Sequence, residues 1–438
     1  MEECDFLICN GTILSMESRG SFVQNGFLAI RGDRIERIGA SDAENPPSAK
    51  RVIDAKGGLV LPGLVNGHTH ASMSLFRGLA DDLPLMEWLN RYIFPVESRM
   101  DADFVHVGAL LACAEMILAG TTTFCDMYLF EEEVARAARK AGMRCLVGEV
   151  LYDFPSPNYG TLQNGFEYTR RMIQQWRSDP LVSVAVEPHS VYTCSPELLL
   201  EANRIALEQG TPLILHLAET LSEVAETKAR YGKRPVQHLE SLGVLGTNLI
   251  AVHCVHLEND EISALREHGV RVITNPESNM KLASGISPVP RMLSAGITVG
   301  LGTDGCASNN NLDLFSEMDT AAKLHKVASM DPTRMDAFTV LRMATVDGAR
   351  ALGLGAVTGS LTEGKRADLI LVDTRKPHLT PLYDPYSHLV YAARGSDVSH
   401  AFINGRLVME DRRLLTLDVE ELMDRAEGKA RDVLRWIG

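Results

Sequence analysis

From about residue 60 to 305 short β-branched runs alternate with longer stretches of helical period. Five times a helical stretch closes at a Gly just before the next run, at Ala119-Gly120, Ala141-Gly142, Gln209-Gly210, His268-Gly269 and Ala295-Gly296. The runs that follow, TTTFCDM, MRCLVGEV, TPLILH, VRVITN and ITVGLGTD, join GLVNGHTH, VSVAVEPH and LIAVHC to give eight candidate strands. Near-continuous apolar runs between amphipathic helices imply a parallel sheet covered on both faces, and eight repeats predict an α/β fold, a (β/α)8 TIM barrel. An open doubly wound sheet is the competing architecture, but the chain lacks a GxGxxG or GxxxxGK[ST] phosphate loop.

The flanks follow a different rhythm. Residues 5 to 61 read as short antiparallel strands, with FLAIRGDRIERIG a hairpin around Gly32-Asp33. After residue 359, GSLTEGKRADLILVD is a turn followed by a strand, and AFINGRLVMED turns at Asn404-Gly405. Each flank alone is too small to bury a good core, so the two termini are expected to pair into one small β-sandwich beside the barrel. The expected division is 1–61 and 356–438 for the sandwich and 62–355 for the barrel. The run from Val419 to Trp436 closes the chain as a charged amphipathic helix.

Composition narrows the partners. With 438 residues, 45% hydrophobic and 23% charged, the chain is of ordinary globular composition. Its 43 Lys and Arg against 57 Asp and Glu give a formal charge of -14, which disfavours nucleic acid and anionic membrane surfaces. MEECDFLIC has the wrong charge for an export signal, and the longest apolar stretch, Val107 to Ala119, is interrupted by Glu115 and too short to span a bilayer. Eight Cys without a CxxC pair read as reduced core thiols, and a cytoplasmic location is expected. The oligomeric state is open, a homo-oligomer included.

Metal-capable residues stand where the apolar runs end. His68 and His70 end the first, His189 the fourth, His216 the fifth, His253 the sixth and Asp304 the eighth. In a (β/α)8 barrel those ends form one face, so the residues converge. At strand period His68 and His70 share a side. With His216 and Asp304 they make a three-nitrogen, one-oxygen set suited to one divalent ion per chain, Zn2+ or similar, and so to a metal hydrolase. A lone His after an apolar run is more often a core residue, but six such placements together are not a coincidence of packing. His106, His238, His268 and His325 fall on helical stretches, and His378, His388 and His400 lie outside the barrel pattern. His256 competes with His253, which is preferred because it directly ends its run.

At these positions the chain resembles a known family. PGLVNGHTH, HLAE at 216 to 219, VHCVHL, GLGTDGCASNNNLD, and ATVDGARALGL followed by GSLTEGKRADLILVD are similar to the amidohydrolase superfamily over nearly the whole length. HTHASMSLFRGLADDLPLMEWL, Glu97 and PHSVYTCS resemble its 5-methylthioadenosine/S-adenosylhomocysteine deaminase branch, close also to the chlorotriazine hydrolases. The resemblance implies a mononuclear site from His68, His70, His216 and Asp304. The fourth strand ends in VEPH, without the Lys that binuclear branches carbamylate.

The implied reaction is hydrolytic deamination of a 6-aminopurine nucleoside, such as 5′-methylthioadenosine, adenosine or S-adenosylhomocysteine. A divalent ion lowers the pKa of water toward neutrality. Asp304 accepts its proton, Glu219 protonates a ring nitrogen as hydroxide adds to carbon 6, and His253 holds or polarises the attacking oxygen. By the same resemblance Trp88 lies by the substrate, Glu97 binds the ribose hydroxyls and His189 contacts the nucleoside. Members that accept S-adenosylhomocysteine present Arg in the loop after the third strand, whereas residues 152 to 169 here hold neither Arg nor Lys. A related hydrolase acting on a triazine, a pterin or a free nucleobase is the alternative, and a metal-binding homologue without catalysis is a third.

Overall fold

The computed structural model describes residues 3–43, 45–83, 87 and 89–437, with the side chains of residues 89 and 90 outside the description. Five strands open the chain: β1 (Cys4–Leu14), β2 (Phe22–Arg31), β3 (Arg34–Ala40), β4 (Ala49–Asp54) and β5 (Leu59–Pro62). The barrel strands follow as β6 (Leu64–Thr69), β7 (Thr121–Tyr128), β8 (Arg144–Leu151), β9 (Val182–Val184) with β10 (Glu187–Pro188), β11 (Leu213–Leu217), β12 (Leu249–His253), β13 (Arg271–Thr274) and β14 (Val299–Leu301). The chain returns to the flank with β15 (Leu369–Val372), β16 (Val398–Ile403), β17 (Arg406–Glu410) and β18 (Arg413–Leu414), and ends in a helix over Val419–Ile437.

The barrel strands run parallel in two sheets, β6 to β10 and β11 to β14. Bridges from Val186 to Leu213 and from Ser190 to His216 join the sheets on one side. The amide of Asp304 bonds the His68 carbonyl at 3.0 Å on the other, which closes the ring. The fourth strand is interrupted between Val184 and Glu187, so eight strand positions are built from nine segments. β7, β8, β11, β12 and β14 are buried along their whole length, the reason their sequences show no polar alternation. The five glycines that punctuate the helical stretches, Gly120, Gly142, Gly210, Gly269 and Gly296, all take positive φ, which lets each helix end without a Cβ clash. Gly302 serves a different end. A Cβ there would lie 2.5 Å from Asn275 Oδ1 and 2.7 Å from the His68 amide, so the close approach of β14 to β6 beneath the site requires glycine.

The termini meet in a single nine-stranded sheet, in which β5 pairs antiparallel with β15. It has its own apolar core around Ile8, Leu28, Ile30, Val60, Leu369, Leu371 and Phe402, separate from the barrel core. Its hairpin tips at Gly32-Asp33 and Asn404-Gly405 touch, and a Cβ on Gly405 would lie 2.0 Å from the Gly32 carbonyl. Sheet and barrel are tied by a buried ion pair. Arg144 of β8 donates from Nε to Asp368 Oδ2 at 2.7 Å and from a terminal nitrogen to Oδ1 at 3.2 Å.

Candidate metal centre and active site

The strand ends bring the predicted residues into one buried cluster. His70 Nε2 lies 3.1 Å and His68 Nε2 3.5 Å from Asp304 Oδ1, and His216 Nε2 lies 3.1 Å from His68 Nε2. His68 heads two sets whose ligand atoms all lie within 4.8 Å of one another, one with His70 and Asp304, the other with His216 and His253. The structure thus brings His253 within ligand reach, beside the role the sequence suggested for it.

The outer ring nitrogens set the tautomers. His216 Nδ1 donates to the His189 carbonyl at 3.0 Å, and His70 Nδ1 to the Met127 carbonyl, so both rings turn Nε2 toward the cluster. Burial holds His68 and His189 neutral, with pKa pushed down to about 4, and pushes His216 well below its usual value. Burial also pulls His70 down, but the adjacent Asp304 carboxylate outweighs it and pushes the ring up to about 9. Asp304 is buried too, and the adjacent His68 and His70 rings hold it well below the usual carboxylate range. Its Oδ2 accepts from Ser278 at 2.6 Å and Ser308 at 3.0 Å, whereas Oδ1, toward the histidines, is buried without a hydrogen-bond partner. Imidazole ring nitrogens and one ionised oxygen aimed at a common point are the donor set of a divalent cation, and the orphaned Oδ1 is the atom such an ion would satisfy.

Around this cluster stand the reaction candidates. Glu219 follows β11 and places Oε2 3.9 Å from His253 Nε2. His253 is fixed from behind by Asn279, whose Oδ1 accepts from Nδ1 at 2.9 Å. The His189 ring packs on His216 with centroids 4.9 Å apart, and Thr193 Oγ1 lies 2.9 Å from its Nδ1. Glu97 ends the short helix Phe94–Glu97 and accepts from Tyr128 OH at 2.8 Å, while the Tyr128 ring lies 6.0 Å from that of His70. Burial pushes the Glu97 carboxyl up, against the Tyr128 hydrogen bond. Trp88 lies outside the described residues. In the loop after β8, Tyr152 and Phe154 stack at 3.9 Å, and its nearest basic residues are engaged elsewhere. Arg170 bonds Glu201 at 2.7 Å and Arg171 sits over Tyr168.

Ser278, Ser308, Asn279 and Tyr128 were not singled out from sequence. Only Tyr128 ends a strand, whereas Ser278 and Asn279 lie on the short helix after β13 and Ser308 in the loop after β14, so the rule that found the histidines reaches only Tyr128, once hydroxyls are admitted. Ser and Asn are so common in loops that the type alone carries no signal.

The chain belongs to the amidohydrolase family, whose model matches residues 59–408. It is 59% identical over 430 residues to a 5-methylthioadenosine/S-adenosylhomocysteine deaminase of Syntrophobacter fumaroxidans, covering 98% of each chain. It is 45% identical over 432 residues to a 5'-deoxyadenosine deaminase of Methanosarcina mazei, again covering 98% of each. Among solved structures, an adenosine deaminase from Xanthomonas campestris with bound zinc superposes with a TM-score of 0.97 at 40% identity, covering 99% of both chains. A triazine hydrolase variant shares the fold at a TM-score of 0.91 and 23% identity.

Proposed function

We propose that this enzyme hydrolytically deaminates 6-aminopurine nucleosides, 5′-methylthioadenosine foremost, releasing ammonia and the inosine analogue. The observation that carries the reading is the pairing of an orphaned Asp304 Oδ1 among the imidazoles of His68, His70 and His216 with Glu219 a few ångströms away across His253. The names of the relatives at 45% and 59% identity support the nucleoside over a triazine, pterin or free base.

His68, His70, His216 and Asp304 would hold one divalent ion per chain, and the zinc of the adenosine deaminase relative supports zinc. When bound, such an ion supplies water activation at neutral pH. Glu219 delivers a proton to a ring nitrogen as hydroxide adds to carbon 6, which avoids building negative charge on the purine. Asp304 takes the proton that the attacking water gives up. His253, its ring held by Asn279, polarises the attacking oxygen. The amino group takes up the proton held by Asp304 and leaves as ammonia, while the new hydroxyl at carbon 6 returns a proton to Glu219. Glu97, held by Tyr128, accepts from ribose hydroxyls, while His189 and Trp88 contact the nucleoside. Two donors on Asp304 Oδ2 leave Oδ1 as the oxygen for the ion.

We read 62–355 as the catalytic barrel domain and 1–61 with 356–438 as the domain beside it, a division supported by the separate small core. No described helix is long and apolar enough to cross a membrane. Eight free thiols, seven of them buried, fit a cytoplasmic enzyme, with a homo-oligomer as one option. The test is a panel of adenosine, 5′-methylthioadenosine, S-adenosylhomocysteine, melamine and guanine followed by ammonia release. Turnover confined to the nucleosides is expected, and turnover only of melamine or guanine overturns the reading.

A further inference from the structure

Glu223 stands two residues inside the helix Leu221–Tyr231, whose N-cap is Thr220. A Glu at that place, three after a capping Thr, ordinarily turns its side chain back to the N-cap amide and completes a reciprocal capping box. Half of that box is present here, because Thr220 Oγ1 accepts from the Glu223 amide at 3.2 Å. The other half is weakened, with the Thr220 amide left a lesser partner of the carboxylate. The Glu223 carboxylate reaches past the cap into the turn that leaves β11, where Oε1 accepts from the Ala218 amide and Oε2 from the Glu219 amide, both at 2.8 Å.

The turn that it grips is a strained one. Ala218 has a φ of +52°, a left-handed conformation that an Ala side chain disfavours. Its carbonyl is held by the amides of Val255 at 3.1 Å and His256 at 2.9 Å, just past β12. Carbonyl and amide of Ala218 are therefore both fixed, and the amide of Glu219 with them. Glu223 is 3% exposed. Burial pushes its carboxyl up, to about 8, helped by the neighbouring Glu219 charge, and the amides of Ala218, Glu219 and Thr220 oppose that shift by favouring the ionised form. A buried carboxylate held by backbone amides rather than by a base is costly unless the groups it holds matter.

We propose that Glu223 is the positioning residue of the active site, a two-point clamp on consecutive amides that fixes the backbone from which Glu219 reaches the substrate. The proposal rests on the reading of Glu219 as the proton-transfer group. Misplacing a reacting group by an ångström can cost about 100-fold in rate, so a clamp on the backbone of that group has leverage without touching substrate.

The test is a double-mutant cycle on the zinc-loaded enzyme with 5′-methylthioadenosine, built from Glu219→Gln, Glu223→Gln and the double variant. A Gln at 223 keeps the shape but turns one acceptor into an NH2 donor, so one of the two amides faces a donor. We expect kcat of Glu223→Gln to fall about 10- to 100-fold with KM within about threefold and zinc content unchanged. On the Glu219→Gln background the same change should cost less than about threefold, since there is no acid left to position. An equal loss on both backgrounds overturns the proposal. Amide exchange reads the clamp independently of chemistry. Faster exchange at Ala218 and Glu219 with protection kept over residues 224–231 supports it, and unchanged exchange overturns it. Wild-type kcat in Glu219→Gln would instead sink the reading of Glu219, so the two failures are distinguishable. Should the Gln variant not fold, Glu223→Asp enters the same cycle and exchange measurement, where a retained but shortened carboxylate is expected to lose less rate.

Discussion

Left-handed backbone occurs both in the nine-stranded flank sheet and at the catalytic ends of the barrel, but it is filled by different residues. In the flank it falls mostly on Asn10, Asn25, Asn404, Asp411, Gly32, Gly57 and Gly405. These residues adopt that region at little cost, and there they make the turns between antiparallel strands. At the site it falls on Ala218, His253, Cys254 and Asp304, with φ between +49° and +71°. Asp304 shares the tolerance of the flank's Asp and Asn, but Ala218, His253 and Cys254 are not turn formers, and each costs on the order of 1–3 kcal/mol. The flank therefore largely obeys local rules, with Met16, Lys56 and Arg412 as exceptions, and the site breaks them where side chains are aimed. Strain accumulates where side chains must be aimed, and tertiary bonds such as the Asp304 amide to the His68 carbonyl restrain it.

That contrast is open to direct attack. The largest effect is expected of His216→Ala, which removes one imidazole and its anchor to the His189 carbonyl. Metal affinity should drop by more than the 10- to 100-fold typical of losing an outer partner, taking activity with it, and full occupancy after dialysis would refute the ligand assignment. Next comes Glu219→Gln, expected to keep the metal while kcat falls about 100- to 10,000-fold; near-wild-type turnover would move the proton transfer elsewhere, His253 first. Arg144→Ala probes the flank side. Stranding Asp368, 2% exposed, should cost about 3–5 kcal/mol in urea unfolding. Metal content and kcat should hold, and a large loss of kcat in folded protein would mean that flank and site are not separable.

A smaller effect concerns substrate tails. Arg170 and Arg171 are engaged elsewhere, and Tyr152 stacks on Phe154, so a zwitterionic homocysteine tail would shed water without a charge partner from this loop. kcat/KM should favour 5′-methylthioadenosine over S-adenosylhomocysteine by about tenfold, or about 1.4 kcal/mol. Equal values would show a cation supplied from outside residues 152–169. The smallest is Asn404→Ala at a hairpin tip, φ +52°, expected to cost about 1 kcal/mol in stability and nothing in rate. An equal penalty in activity would erase the distinction between the two regions.

The sequence by itself determined the strand count, the helix ends and the ligand candidates. Each is written in local pattern: apolar runs for strands buried on both faces, Gly where a helix must end left-handed, and His or Asp at the last position of a run. Pairing of the two flanks was also legible, because neither could bury a core alone. What only the tertiary structure decided is who holds whom. No local pattern tells that Ser278 and Ser308 take one oxygen of Asp304 and leave the other bare, since these residues meet from separate loops. Nor does it tell that Glu223 makes its two shortest bonds to amides of the preceding turn rather than to its cap. A capping Glu and a clamping Glu have the same sequence signature. The choice between them lies in the left-handed turn at Ala218, held by β12 from the far side, and hydrogen bonds between distant segments exist only once the barrel has closed.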